Sequence, residues 1–315
     1  MKNNLIGLGC TTMIVNPYYD QKTHFQRAAA FKNTLCRAFA QVQRDYTVMP
    51  FNQNEYKMFI LDSLKDKWTN RLKNFFALAT DNRVTVALSI FEECGMRIPE
   101  VWNMNPWNPK NNTSQLQFTA YQGMYEPKGK TKLLQENYIR QIVYNMPADH
   151  SFIILEPWNE PNMTNNCNNQ KVFDHHLWVK EVAVAAGFTG KWSVGGWMST
   201  ARVIYAGELM PVNKAFVKAG FIVQKHLARK EDINDISNFR PDGKMLVSTD
   251  GMSGDDGVFV DKLTQAQVEY ITSRCAEYGF NKIDFFTRHK DDKKWEPPIE
   301  YWTWIRDAIN KYFPG

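Results

Sequence analysis

Apolar and polar positions alternate in two rhythms from one end of the chain to the other. Short apolar runs, many of them β-branched, read as strands at Leu5–Cys10, Leu35–Val42, Val84–Phe91, Ser151–Leu155, Lys191–Gly195, Phe221–His226, Lys244–Ser248 and Lys282–Phe286. Met13–Val15 reads as a further short apolar piece close behind the first. Between these runs, apolar residues at helical spacing predict helices over His24–Thr34, Asn54–Thr80, Thr131–Asn145, Lys171–Ala186, Met198–Ala219, Gln265–Tyr278 and Ile299–Tyr312, with a short helical stretch after Phe221–His226. In Asn54–Thr80 the periodic set is Phe59, Leu61, Leu64, Trp68, Leu72, Phe75 and Phe76. Gly95–Lys130 breaks the rhythm. It is rich in Pro, Asn, Gly and aromatics and is too long for an ordinary connection, which marks it as a functional or mobile loop.

Eight strand–helix units without a linker predict a parallel sheet with helices outside. Eight such units plus one long insertion point to a (β/α)8 TIM barrel, one catalytic domain over residues 1–315 with its long loop after the third strand at about 95–130. A doubly wound open sheet is the competing arrangement, but no glycine-rich phosphate loop follows the first strand.

Composition narrows the partners. With 43% hydrophobic and 23% charged residues, the chain is globular rather than disordered, collagenous or coiled-coil. No apolar run approaches the ~20 residues of a membrane helix, so no membrane partner is expected. The net charge of +5, from 38 basic and 33 acidic residues without a basic stripe, does not point to nucleic acid. The five cysteines, Cys10, Cys36, Cys94, Cys167 and Cys275, form no CxxC pair, so neither structural zinc nor a disulfide framework is expected. Leu5–Cys10 looks like a lipoprotein cleavage box, but the apolar stretch is too short for the ~7–15-residue core of a signal peptide. The expectation is a cytoplasmic protein or a domain of a larger assembly, and the sequons at Asn111, Asn112 and Asn162 then carry no weight.

In a barrel the chemistry lies where strands run out into the loops that follow them. Those ends hold Arg37, then Glu92 and Glu93, then Glu156, Trp158, Asn159 and Glu160. The later strands add Trp197, then Lys225 and His226, then Asp250, and last Arg288 and His289. Carboxylates, aromatics, an amide and histidines converging on one rim describe a site for a polar ligand.

One segment, Ile154-Leu155-Glu156-Pro157-Trp158-Asn159-Glu160-Pro161-Asn162, resembles the fourth-strand signature of the large clan of retaining (β/α)8 glycoside hydrolases that holds many cellulases, mannanases and β-glycosidases. The resemblance implies Glu160 as general acid/base and Asn159 as the group binding the sugar 2-hydroxyl. Arg37, in Leu35-Cys36-Arg37-Ala38-Phe39, resembles the clan's arginine near the end of the second strand and implies a bidentate hold on a catalytic carboxylate. Trp158 and Trp197 are expected to wall the acid, His226 to bind substrate or hold a carboxylate, and Trp107, with Trp102, Tyr121 and Tyr125, to stack on sugar faces.

The clan's second carboxylate is a glutamate at the end of strand 7. At roughly 30 residues per unit its place falls near Leu246-Val247-Ser248-Thr249-Asp250-Gly251, which ends in an aspartate. Asp is one methylene shorter, about 1 Å of reach. Retaining glycosidases hold the pair ~5–5.5 Å apart and inverting ones ~6.5–9.5 Å, so Asp250 is either nucleophile or general base. Asp250-Gly251 also reads as a plain turn.

Other acidic and histidine clusters have plainer readings. Glu156 shares parity with Ile154 and Phe152, and reads as a buried partner for an arginine. Asp174-His175-His176 looks like a metal motif, but adjacent residues on a helix diverge. Ser253–Gly257 reads as an acidic rim loop with Asp255 or Asp256 in reserve, and Trp68, Trp178 and Trp304 as helix packing. The expected function is hydrolysis of an oligo- or polysaccharide by two carboxylates, with no cofactor and no metal. The alternative is a catalytically impaired carbohydrate-binding protein on a hydrolase scaffold, for example in a virus tail or cell-surface assembly.

Overall fold

The computed structural model describes residues 4–10, 12–42, 48–161, 169–195, 204–205, 208–209, 211–227, 230, 233–234, 245–249, 263–287 and 296–314. Eight strands form one parallel sheet: β1 (Leu5–Cys10), β2 (Leu35–Phe39), β3 (Thr85–Glu92), β4 (Ile153–Asn159), β5 (Lys191–Val194), β6 (Phe221–His226), β7 (Met245–Ser248) and β8 (Lys282–Thr287). Each strand from β2 to β8 is hydrogen-bonded to its successor in sequence, and β8 pairs with β1. The remaining gap is nearly closed: β1 lies beside β2, and Thr34 just before β2 donates its N–H to Ile6 O at 2.8 Å. This is the (β/α)8 barrel that the alternating pattern predicts.

The helices that flank the strands are α1 (Gln21–Ala30), α2 (Asp66–Asp81), α3 (Gly129–Tyr144), α4 (Asn169–Ala185), α5 (Pro211–Lys218), α6 (Gln265–Tyr278) and α7 (Ile299–Tyr312). Two departures from the sequence reading are informative. Asn54–Thr80 is not one helix: Phe51–Gln53 and Phe59–Leu64 pair as an antiparallel hairpin before α2 begins. The Asn54 side chain accepts from the Tyr56 and Met58 amides, and Lys57 takes a left-handed φ of 61° to close the turn. Phe59 and Leu61 are buried while Asp62 is exposed, so their spacing fits a strand as well as a helix. Met13–Val15 is a turn rather than a strand.

The barrel interior is layered. A floor of Leu5, Leu35, Ala87, Ile154, Ile222 and Leu246, one residue from each of six strands, forms its own apolar cluster. Two residues further along the strands the inward positions turn polar: Arg37, Ser89, Glu156 and Gln224, all buried. Glycine makes room for this layer. A Cβ on Gly195 would lie 1.2 Å from Glu156 Oε1, and one on Gly9 would meet Asp284 Oδ1 at 2.7 Å and Arg37 O at 2.8 Å.

The long β3–α3 connection is ordered largely by asparagines. Asn105, Asn108, Asn111 and Asn112 each hydrogen-bond nearby backbone between Trp102 and Lys110, in a connection that also carries short helical turns at Glu93–Met96, Pro99–Trp102, Pro109–Asn111 and Tyr121–Tyr125.

Candidate active site

The polar layer converges on Glu156. Its carboxylate, fully buried, accepts from Arg37 Nε and Nη2 at 3.1 Å each, from Ser89 Oγ at 2.6 Å and from Gln224 Nε2 at 3.2 Å. A buried carboxylate survives desolvation only when paired and hydrogen-bonded, and here four donors on three other strands do so. Arg37 Nη2 also donates to Asn159 Oδ1 at 2.6 Å, while its guanidinium lies 4.9 Å from the Phe39 ring centre and 5.0 Å from that of Phe286. Arg37 therefore makes its bidentate contact with Glu156 and orients the Asn159 amide.

Glu160 sits one residue past β4 with a φ of 49°, a left-handed conformation that costs a glutamate energy and is found where the surroundings enforce it. Its Oε1 is 3.0 Å from His226 Nδ1, and its Oε2 accepts from Arg97 Nη2 at 2.9 Å. The first contact needs one proton between two atoms that are otherwise both acceptors. His226 Nε2 faces Gln224 Oε1 at 3.4 Å, and Gln224 spends its amide N–H groups on Glu156 and on Ser193 Oγ at 3.0 Å. The proton of the Glu160–His226 contact sits on Nδ1 or on the carboxyl, according to the histidine tautomer. A continuous path thus runs from Glu160 through His226, Gln224, Glu156 and Arg37 to Asn159. Arg97 comes from the loop after β3 and has no counterpart among the residues singled out from strand ends. The signal that finds it is tertiary, because the short turn Glu93–Met96 carries the chain back over β4; its first amides are capped by Glu92, whose carboxylate accepts from Gly95 N–H.

The expected stacking aromatics are placed differently. Trp158 is fully buried, stacked on Phe91 at 4.8 Å and packed by Tyr125 at 4.6 Å. Its Nε1 donates to His175 Nδ1 at 3.0 Å, so His175 carries its proton on Nε2 and gives it to Gln135 Oε1 at 3.0 Å. Trp107 is also fully buried, against Phe51, Phe91 and Tyr138, with Nε1 bonded to Gln41 Oε1. Neither ring offers a face to a ligand, because each is enclosed by other aromatics under the β3–α3 loop. Tyr121 and Tyr125 are buried as well, with Tyr125 donating its hydroxyl to Glu93, and Trp102 is partly open. Burial holds His175 and His176 in the neutral form, well below the usual histidine range for His175 and at about 4 for His176. Among the described residues no group of three or more His, Cys, Asp or Glu is placed to hold a metal ion.

Asp250, Trp197, Arg288, His289 and the Ser253–Gly257 stretch lie outside the described residues. The chain is described up to Thr249, whose N–H donates to Asp284 O at 3.0 Å and whose Oγ1 accepts from Phe286 N–H at 2.8 Å, fixing the end of β7 against β8.

No family model matches the sequence, and no curated protein matches it. Solved structures do. The endo-1,4-β-mannanase of Rhizomucor miehei superposes with a TM-score of 0.63 at 12% identity, over 99% of this chain and 95% of that one. The endo-β-1,4-mannanase of Thermotoga petrophila gives 0.61 at 10% identity, over 100% and 78%. A Bacteroides ovatus xyloglucanase, solved with a heptasaccharide, gives 0.56 at 12% identity, over 97% and 74%. The shared property is the fold. At these identities it extends over the whole barrel without carrying residue roles across.

Proposed function

We propose that this chain is a glycoside hydrolase that cleaves an oligo- or polysaccharide, with Glu160 as proton donor. The observation that carries the reading is the position of Glu160 on the C-terminal rim of a (β/α)8 barrel, with its carboxyl 3.0 Å from His226 Nδ1. In the reaction Glu160 transfers a proton to the glycosidic oxygen as the bond from that oxygen to the anomeric carbon breaks. Asp250 supplies the second carboxylate, attacking the anomeric carbon or drawing a proton from the attacking water, and Asn159, oriented by Arg37, takes the sugar 2-hydroxyl. His226 then serves as a positioning residue that keeps the proton at Oε1. Arg97 has to leave Oε2, or turn to a substrate oxygen, for the carboxyl to act as an acid.

The neighbours in fold make 1,4-β-mannan and xyloglucan the first members of a glycan panel. Wild type is expected to release new reducing ends, and Glu160→Gln to lose about 100-fold or more of that release. Proton NMR of the first-formed anomer then assigns Asp250: retention makes it the nucleophile, inversion the general base.

A second reading, carbohydrate binding without turnover, has one observation behind it. The Arg97–Glu160 ion pair favours the ionised carboxylate, which cannot donate a proton. Equal binding of one glycan by wild type and Glu160→Gln, with no reducing ends from either, selects that reading.

A further inference from the structure

The β3–α3 connection encloses a cavity of about 550 Å³, the size of a site for a small saccharide rather than for a solvent molecule. It is lined by Ser114, Gln115, Gln117 and Phe118 and by the start of α3 from Lys128 to Thr131. Three observations on this cavity point to a ligand.

Its depth is polar and unspent. Ser114 and Thr131 are each only 5% exposed, yet neither hydroxyl has a hydrogen-bond partner among the described residues. Neither oxygen is sealed from solvent, so both are open to the cavity they line, where an external donor or acceptor can reach them.

Its mouth is cationic. Lys128 caps α3 without a side-chain hydrogen bond, so the Gly129 and Lys130 amides reach no protein acceptor among the described residues, and neither lysine makes an ion pair there. The one carboxylate in the lining, Glu126, is engaged by Lys171 at 2.5 Å. Two lysines and the first turn of a 16-residue helix therefore face the opening with little opposing charge.

An aromatic ring completes it. Phe118 lines the cavity and is backed by Trp102, ring centres 6.5 Å apart and 28° from parallel. Gly123 permits that placement, since a Cβ there would meet Phe118 Cβ at 2.5 Å.

We propose that this cavity is a second carbohydrate site, separate from Glu160, that binds a sugar carrying an anionic group. A carboxylate or sulfate ester sits at the first turn of α3 between Lys128 and Lys130, the ring lies on Phe118, and hydroxyls exchange hydrogen bonds with Ser114, Thr131 and the Gln115 and Gln117 amides. The first turn of α3 follows a β–α connection, so the cavity it lines lies toward the same end of the barrel as Glu160. There it holds an acidic stretch or branch of a polysaccharide beside the catalytic rim. This inference does not rest on Glu160 being catalytic.

Titration calorimetry of the whole chain at low salt tests it with three probes: trigalacturonic acid, a sulfated galactose trisaccharide and neutral cellotriose. At least one anionic probe is expected to bind, with an affinity that falls as salt rises. Which one binds identifies the anion. The double variant Lys128→Glu/Lys130→Glu, which places acidic groups at a helix N-terminus and so preserves the fold, is expected to weaken that binding tenfold or more. Thr131→Val is expected to weaken it by a smaller factor without changing the salt dependence, and Glu160→Gln to leave it unchanged. Failure of both anionic probes to bind overturns the proposal. So does cellotriose binding as tightly as they do, or an affinity indifferent to the lysine reversal. Loss of binding in Glu160→Gln overturns the separateness of the site, whatever the reducing-end assay shows.

Discussion

Glu156 and Glu160 stand four residues apart on one strand end, and the protein treats them in opposite ways. Glu156 lies inside the barrel, fully buried, with both oxygens held by Arg37 and further donors on β3 and β6. Glu160 lies past the strand, in a left-handed backbone conformation, held by a histidine and by an arginine from a loop. The first arrangement has no spare donor for a ligand and carries structure. The second is held at the rim, where the proposed proton donor would have to exchange its partners for a substrate. The difference teaches that in this barrel a carboxylate's surroundings follow from its height along the strand rather than from its residue type.

The comparison breaks most visibly at Arg37. Arg37→Ala leaves the Glu156 carboxylate buried without its fork, and is expected to cost about 3–5 kcal/mol of stability in urea denaturation. A cost under about 1 kcal/mol would mean that the layer is not sealed. Gly195→Ala pushes a methyl onto Glu156 Oε1 and should destabilise in the same assay.

Swapping the two glutamates in turn sharpens the contrast. Glu160→Gln is expected to lose about 100-fold in reducing-end release while its unfolding midpoint barely moves; Glu156→Gln should do the reverse. If both variants lose activity at unchanged stability, the division between structural and catalytic carboxylate fails.

Acid tests the buried histidines that pack beneath this end. Burial lowers His24 to about 3 and His176 to about 4, with His175 also well below its ordinary value. The unfolded chain binds protons at these sites below about pH 6.5 and the folded chain does not until it nears pH 4, so stability falls as pH drops through that window. Each histidine contributes about 1 kcal/mol per pH unit there. Denaturation between pH 7 and 4.5 should show the slope, and His176→Gln should flatten it by about that amount; an unchanged slope shows that His176 does not titrate this way.

Arg97→Gln is the gentlest intervention. The pair is mostly buried, but Gln keeps a donor for Oε2, so the change is expected to cost about 1 kcal/mol of stability. On the hydrolase reading, reducing-end release holds or rises slightly, since Oε2 no longer has to be vacated. A loss approaching that of Glu160→Gln would place Arg97 in the chemistry itself.

Much of this was legible in the residues. α6 is found at its predicted bounds because its ends are written locally: Thr264 and Gln267 form a reciprocal cap, and Gly279 takes the left-handed position that ends it. The motif at β4 marked Glu160, and the parity of Glu156 with Ile154 marked it as inward and paired. The hairpin at Phe51–Leu64 escaped because Phe59 and Leu61 satisfy both periods, and only the Asn54 turn decides between them. Trp107 and Trp158 escaped because an aromatic beside a site and an aromatic beneath it look the same in sequence; which it is depends on the chain folded above.

The sequence by itself determined the order of strands and helices, hence the barrel, and the end of it where carboxylates gather, because period, caps and strand ends are properties of neighbouring residues. The tertiary structure alone decided that Arg37 serves Glu156, that Arg97 reaches Glu160, and that Ser114 and Thr131 line one cavity. The two ion pairs span 119 and 63 residues of chain, and only closure of the barrel and the folding back of its long loop bring their atoms within hydrogen-bonding reach.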